Sequence, residues 1–210
     1  MKTIALFGAS GRTGKLFFQL AFNAGYNIKI LVRTPEKINL NGDSLQVFHG
    51  DVLNFIDCDK VIDGSDIVVN LIGHDKESNE WLHTYATKNI LSCMKKHNVK
   101  KLITLSCSIL THGLDDPSIK DRIALYFIKN AHSRSYNDTL RQAEQLKNSD
   151  IKWILVRAPK LLDGPKSDNY KVGWVGVDTT NQVTRANLAD FIFKQLEDDA
   201  YVLQMPLISD

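Results

Sequence analysis

A glycine-rich turn between an apolar segment and an amphipathic segment constrains the fold of this chain more than any other feature. Thr3–Phe7 has the pattern of a short buried strand, and the turn Gly8-Ala9-Ser10-Gly11-Arg12-Thr13-Gly14 follows it directly. Arg12–Ala24 then has helical periodicity. Its apolar face is predicted to contain Leu16, Phe17, Leu20 and Ala24. A strand, a tight glycine turn and a helix in this order predict the start of a βαβ unit.

The same alternation continues along the chain. Further strands are predicted at 28–32, 45–48, 67–71, 102–105, 151–156 and, as a short one, 201–204. Further helices are predicted at 76–97, 133–148 and 185–196. Continuous apolar strands between helices indicate a parallel sheet that is covered on both faces. We therefore expect an α/β fold: a single Rossmann-type, doubly wound domain over 1–210, with a candidate insertion or lid at 111–132.

Composition excludes several classes of protein. The 210 residues contain no apolar run near the ~18 residues of a membrane span, and the N-terminus does not resemble a signal peptide. Cys58, Cys93 and Cys107 form no C-x-x-C pair, which favours a reduced, cytoplasmic protein. A net charge of +2 is too small to indicate a nucleic-acid partner. We expect a small-molecule substrate, no membrane and no nucleic acid; the oligomeric state stays open.

The three glycines of the turn have separate chemical roles in a dinucleotide site. Gly8 permits the tight turn, Gly11 lets the backbone approach a pyrophosphate, and Gly14 allows close packing of helix on strand. The pyrophosphate then lies at a helix N-terminus, where free N–H groups and the helix dipole attract anions. The alternative is a tight strand–helix turn that binds no ligand.

The residue after the second strand bears on the choice of dinucleotide. NAD-binding units usually have an acidic residue there that holds the ribose 2′-hydroxyl. This chain has Arg33 instead, and a guanidinium can bind a 2′-phosphate through paired, charge-assisted hydrogen bonds. Arg12 can add positive charge from the glycine turn. The sequence therefore predicts NADP(H), unless both arginines are merely solvated.

Six motifs together resemble an atypical short-chain dehydrogenase/reductase, similar to biliverdin-IXβ reductase/flavin reductase and its bacterial NAD(P)H-binding relatives. The resemblance covers about residues 2–204. Its motifs are G-A-S-G-R-T-G from Gly8, L-V-R at 31–33, H-G-D-V at 49–52, V-V-N-L-I-G at 68–73, L-S-C-S at 105–108 and V-R-A-P at 156–159.

This resemblance implies a set of contacts along the cofactor. The pyrophosphate would be held by Gly8, Ser10, Gly11, Arg12, Thr13 and Gly14, and the 2′-phosphate by Arg33. Asp51 and Val52 would flank the adenine. The nicotinamide ribose would be lined by Leu71, Ile72 and Gly73. The nicotinamide itself would be positioned by Ser106, Cys107 and Ser108, with Pro159 contacting its carboxamide.

The chain lacks the Y-x-x-x-K pair that serves as proton donor in the wider superfamily. Leu140 stands four places after Tyr136, and Asn130 four places after Tyr126. The flavin-reducing relatives also lack this pair. We therefore expect hydride transfer to a planar conjugated acceptor, such as a flavin, a quinone-like or a tetrapyrrole-like compound, with no essential side-chain acid. A non-catalytic NAD(P)H-sensing regulator is the main alternative, and a sugar-nucleotide epimerase is a weaker one.

Two residues are candidates for contact with the substrate. His74 follows Gly73 at the carboxyl end of a predicted strand, where α/β proteins bind ligands. Tyr126, within the candidate lid, could stack on a flat ring. His74, His83 and His97 have no spacing typical of a metal site, so no metal is expected. His74 as a solvated loop residue and Tyr126 as a packing residue are the alternative interpretations.

Overall fold

An eight-stranded sheet organises the computed structural model, which describes residues 1–38, 42–74, 78–131 and 133–210. The strands lie in the order β3-β2-β1-β4-β5-β6-β10-β8, and only β8 is antiparallel to its neighbour. The strands of this sheet are β1 (Thr3–Phe7), β2 (Asn27–Val32), β3 (Leu45–His49), β4 (Ile67–Asn70), β5 (Lys101–Cys107), β6 (Lys152–Ala158), β8 (Lys171–Gly173) and β10 (Leu207–Ser209). A separate two-stranded sheet pairs β7 (Lys160–Leu162) with β9 (Gln182–Thr184).

Helices cover both faces of the large sheet, which confirms the doubly wound α/β prediction. They are α1 (Arg12–Asn23), α2 (Phe55–Ile62), α3 (Leu82–Lys96), α4 (Ile119–Ala131), α5 (Ser133–Lys147) and α6 (Arg185–Lys194). One buried cluster joins the sheet to α1 and α6, and a second joins it to α2, α3 and α5. None of the described helices combines the length and apolar character that a membrane crossing needs.

The structure departs from the predicted elements in three places. The strand predicted at 201–204 is displaced: residues 201–203 form a turn, Gln204 makes a single parallel bridge with Ile154 of β6, and the strand beside β6 is Leu207–Ser209. The helix α2 was not predicted, since it is short and its exposed face carries Phe55 and Ile56. Within the described residues α3 begins at Leu82, not 76; residues 75–77 lie outside them.

The segment predicted as an insertion or lid is a loop followed by α4. Its last residue, His132, lies outside the described residues. The loop is anchored by Asp115, whose carboxylate accepts two hydrogen bonds from the guanidinium of Arg157 on β6, both 2.8 Å long. The Arg157 side chain is 0% exposed and that of Asp115 is 5% exposed. The arginine of V-R-A-P therefore connects this loop to the sheet.

Candidate functional site

The glycine turn lies where the strand order of the sheet reverses. β1 pairs with β2 on one side and with β4 on the other. From β1 the chain adds β2 and β3 towards one edge of the sheet, and it then adds β4 and β5 on the opposite side of β1. In open α/β sheets the crevice outside the carboxyl ends of such strands is the place where ligands bind. The candidate site is therefore the crevice between the ends of β1, β4 and β5.

Gly8 and Gly14 are required by backbone packing. Gly8 has a φ of +84°, and a Cβ there would lie 2.6 Å from the carbonyl carbon of Leu71. A Cβ on Gly14 would lie 2.0 Å from the carbonyl oxygen of Gly8. These contacts match the roles predicted for both glycines, and they hold the turn against the segment that follows β4.

Gly11 occupies a more open position. Its φ is −70°, which any residue can adopt, and a Cβ there would meet only the carbonyl oxygen of Gly8, at 3.3 Å. Gly11 is also the N-cap of α1, so no cap side chain of its own satisfies the first N–H groups. The first turn of α1 contains no acidic residue. A pyrophosphate fits this cradle, because backbone N–H groups and the helix dipole are available to it.

The remaining turn residues and the adenosine-side residues lie around the same crevice. Ser10 is half-buried, Thr13 is buried, and Arg33 is exposed directly after β2. The Arg12 side chain is 71% exposed and forms an ion pair of 3.3 Å with Asp163. Exposed pairs of this kind contribute only about 0–1 kcal/mol. Arg12 can therefore leave Asp163, which keeps Arg185 at 2.7 Å as a partner.

The segment 50–54 after β3 is fixed by hydrogen bonds within itself and from α3. The carboxylate of Asp51 accepts from the backbone N–H of Leu53 at 2.9 Å. Val52 is buried, and its carbonyl oxygen accepts from the side-chain amide of Asn89 at 2.9 Å. Asp51 and Val52 thus have a defined conformation at the place predicted for the adenine.

The segment after β4 combines a fixed start with an open end. Leu71 is buried and its N–H donates to the carbonyl of Phe7 at 2.9 Å. Ile72 donates to the side-chain oxygen of Asn70 at 3.3 Å. Around Gly73, a Cβ would meet no heavy atom of the described residues within 4 Å. This leaves room beside Gly73 where the ribose of the nicotinamide is predicted.

The end of β5 presents small polar side chains. Ser106 is buried, and its hydroxyl has no hydrogen-bond partner in the described part of the chain. Burial raises the pKa of the Cys107 thiol, whose sulfur lies against the hydroxyl of Thr139 on α5. Ser108 donates its backbone N–H to the carbonyl of Ala158 at 3.0 Å, next to Pro159. The two predicted nicotinamide segments therefore adjoin each other.

Tyr126 lies on α4, away from the sheet. Its side chain is 66% exposed and packs edge-to-face against Phe127. The same helix exposes further large apolar side chains at helical spacing, namely Ile119 and Ile123. The contact of Tyr126 with a substrate stays a prediction.

His74 is part of a cluster that the sequence spacing did not reveal. Its Nε2 lies 2.9 Å from Oδ2 of Asp138 on α5, and its ring packs edge-on to His83 at 4.7 Å. One imidazole nitrogen of His74, one of His83 and one carboxylate oxygen of Asp138 all lie within 4.8 Å of one another. The spacing of the histidines could not indicate Asp138, because Asp138 lies 64 positions after His74 in the sequence.

Comparison with protein families assigns this chain to a family. A family model described as NAD(P)H-binding matches residues 8–199. The chain belongs to this NAD(P)H-binding family. Membership confirms the NAD(P)H-binding character of the predicted resemblance. The match begins at Gly8, the first residue of the glycine turn.

One curated relative of this NAD(P)H-binding chain is distant in sequence. An uncharacterized chloroplastic protein of Arabidopsis thaliana is 25% identical over 186 residues, which are 80% of this chain and 62% of that protein. The chain thus spans less than two thirds of the length of this curated relative.

Two solved structures show the same fold. A short-chain dehydrogenase/reductase of Veillonella parvula in complex with NADP has a TM-score of 0.78 and 17% identity, covering 100% of this chain and 94% of its own. ChuY, an anaerobillin reductase of Escherichia coli O157:H7, has a TM-score of 0.77 and 16% identity, covering 100% and 97%.

Proposed function

We propose that this protein is an NADPH-dependent oxidoreductase that transfers hydride to a planar conjugated acceptor. The observation that carries the proposal is the glycine turn between β1 and α1, where the strand order reverses. Gly8 and Gly14 allow backbone to pack directly on backbone, and Gly11 leaves the backbone N–H groups at the start of α1 accessible. When bound there, NADPH supplies the hydride. The protein binds the dinucleotide, orients it and shapes the space for the acceptor.

The preference for NADPH over NADH rests on two arginines. Arg33 is exposed directly after β2, where a ribose-binding acid would repel a 2′-phosphate. Arg12 is 71% exposed in the turn and has only a weak ion pair to give up. That the matched Veillonella parvula structure contains NADP supports this choice of cofactor.

The planar acceptor is supported by the missing proton donor and by exposed aromatic rings on α4. Neither Tyr126 nor Tyr136 has a lysine four residues on, so the usual donor for alcohol–ketone chemistry is missing. Tyr126 and Phe127 expose aromatic faces on the helix that follows the β5 end. An anaerobillin reductase among the proteins of the same fold is consistent with a flat tetrapyrrole-like acceptor.

Cofactor titration followed by an acceptor screen tests this proposal. NADPH should bind more tightly than NADH by about 1.5–3 kcal/mol, roughly ten- to a hundredfold. Arg33→Ala should remove most of this difference and leave NADH affinity nearly unchanged. Lys152→Ala is the matched control, because Lys152 begins β6 and so lies at the amino ends of the strands, opposite the crevice. Equal affinities in the wild type would contradict the NADPH assignment.

The acceptor screen follows NADPH oxidation with FMN, simple quinones and a linear tetrapyrrole. Turnover with at least one of them is the expected result. Tight NADPH binding without turnover of any acceptor would favour the NAD(P)H-sensing regulator instead.

A further inference from the structure

Asp138 is a buried carboxylate with an unusually complete set of donors. Its side chain is 0% exposed. Oδ1 accepts from the N–H of Thr84 at 2.8 Å and from its hydroxyl at 2.6 Å. Oδ2 accepts from the N–H of His83 at 2.8 Å and contacts Nε2 of His74 at 2.9 Å. Asp138 therefore caps the first turn of α3 and also holds the His74 ring.

These donors keep Asp138 ionised. Burial alone would raise the pKa of Asp138, but hydrogen bonds from His74, Thr84 and His83 outweigh it and lower the pKa to about 2. Because an ionised carboxylate only accepts hydrogen bonds, His74 must donate through Nε2. Nδ1 of His74 is then the ring nitrogen that remains for another partner.

His83 is not suited to donate a proton near neutral pH. Burial, together with the charge of His74, lowers the pKa of His83 to about 4, so its ring is neutral. Its Nδ1 is buried and has no hydrogen-bond partner among the described residues. The His74 side chain, in contrast, is 26% exposed and reaches solvent.

The His74–Asp138 pair lies beside the predicted nicotinamide position. His74 follows the open Gly73, in the segment that packs against Gly8 of the turn. Asp138 precedes Thr139, whose hydroxyl lies against the Cys107 thiol at the end of β5. The pair therefore bridges the ends of β4 and β5, the two segments predicted to line the nicotinamide and its ribose.

We propose that His74 is the general acid of this protein and that Asp138 is its positioning residue; the proposal rests on the oxidoreductase function proposed above. The acceptor gains a hydride from NADPH at carbon and a proton from Nδ1–H of the His74 imidazolium at a heteroatom. NADPH is oxidised to NADP⁺, and the neutral His74 regains a proton from water. The carboxylate of Asp138 accepts a hydrogen bond from Nε2–H of His74 and fixes the ring.

This proposal differs from the expectation drawn from the sequence, in which no side-chain acid is essential. That expectation considered His74 alone, as a residue in a loop. The chain also offers a matched control: Nε2 of His97 lies 2.8 Å from Oδ1 of Asp59, beyond the other end of α3, which is about 22 Å long.

Steady-state kinetics on the best acceptor provides the first part of the test. General acids contribute about 10²–10⁴-fold, so His74→Ala should lower kcat by that factor while KM for the acceptor and NADPH affinity stay nearly unchanged. Added imidazole should restore part of the rate. His97→Ala should keep the wild-type rate. If the wild type turns over and His74→Ala loses less than about tenfold in kcat, His74 is not the general acid. The proposed oxidoreductase function would be unaffected by that result.

Nitrogen-15 NMR of the ligand-free protein provides a readout that does not depend on turnover. The wild type should show a protected Nε2–H signal for His74, and Asp138→Asn should weaken its protection. A stoichiometric divalent metal that is lost in His83→Leu would overturn the proposal, because Nε2 of His74 would then be a ligand. Absence of turnover in the wild type with every acceptor would overturn the oxidoreductase function, and the acid with it.

Discussion

The carboxyl ends of β1 and β5 lie close together in this fold but are held in different ways. At β1, Gly8 and Gly14 place backbone directly against backbone, with no room for a Cβ. At β5 and the neighbouring end of β4, side chains from distant parts of the chain fix the loop and the crevice: Arg157 from β6 binds Asp115 after β5, and Asp138 from α5 binds His74 after β4. The first end depends on local sequence, whereas the second depends on tertiary contacts.

This difference separates what binds the cofactor from what selects the reaction. The β1 end offers N–H groups and a helix dipole, which suit any pyrophosphate and carry little information about the acceptor. The β5 end offers a histidine, a thiol, small hydroxyls and an exposed aromatic helix, which can vary while the fold stays the same. Variants at the two ends should therefore fail in different assays.

The largest effect is expected at the β5 end, for Asp115→Ala. This change leaves the Arg157 guanidinium buried without its carboxylate and should lower the free energy of unfolding by about 3–5 kcal/mol. It also removes the acceptor for the N–H groups of His112 and Val175. Urea denaturation measures the loss. Asp116→Ala, at an exposed neighbouring side chain, is the control and should be nearly neutral.

The same ion pair makes stability depend on pH. Burial alone would raise the pKa of Asp115, but Arg157 and two backbone N–H groups hold it below its usual range. A carboxylate whose pKa is lowered in the native state stabilises the fold at pH values above its unfolded pKa of ~3.9. This contribution is lost as the pH falls through the native pKa. Asp115→Ala should therefore lose less stability than the wild type on acidification below about pH 4. A parallel pH dependence would contradict this assignment.

The second effect is expected at the β1 end, for Gly11→Val. The φ of −70° at Gly11 suits any residue, and a Cβ there would meet one atom, the carbonyl oxygen of Gly8 at 3.3 Å; this tight contact requires a small local shift, so the melting temperature should fall far less than in Gly14→Ala. The new side chain should keep a pyrophosphate from the backbone and weaken dinucleotide affinity by at least about a hundredfold, or ~2.7 kcal/mol. Fluorescence titration measures it. Gly14→Ala is the contrasting variant, because its Cβ would clash with Gly8 and should destabilise the fold itself. Normal NADPH affinity in Gly11→Val would show that the turn binds no pyrophosphate.

The sequence could predict the β1 end because every contact there is made within a short segment. Strand, glycines and helix follow one another, and the spacing of Gly8, Gly11 and Gly14 reports a backbone geometry. Even so, the predicted face of α1 was partly wrong. Leu16 is 40% exposed, whereas Phe18 and Ala21 are buried together with Phe17. The buried stripe is rotated because α1 packs against α6 as well as the sheet.

The β5 end could not be predicted because its partners are distant in sequence. Asp138 lies 64 positions after His74, and Arg157 lies 42 positions after Asp115. No sequence motif around Asp115 or Asp138 indicates which residue the carboxylate will contact. The helical periodicity of α5 indicates only that Asp138 lies on its buried face. The misplaced strand near Tyr201–Gln204 has a related cause. A short apolar segment fits a strand or a turn, and pairing with β6 selected Leu207–Ser209.

The smallest effect is expected for Tyr126 on α4, the least embedded element of the β5 side. Its ring is 66% exposed, so removing it should cost the fold little. If the ring stacks on a flat acceptor, Tyr126→Ala should lose about 0.5–1.5 kcal/mol of binding, roughly a two- to tenfold rise in KM with kcat unchanged. Tyr126→Phe keeps the ring and should behave as the wild type. An unchanged KM in Tyr126→Ala would place the acceptor elsewhere, whereas a fall in kcat alone would make the tyrosine part of the chemistry rather than of the binding surface.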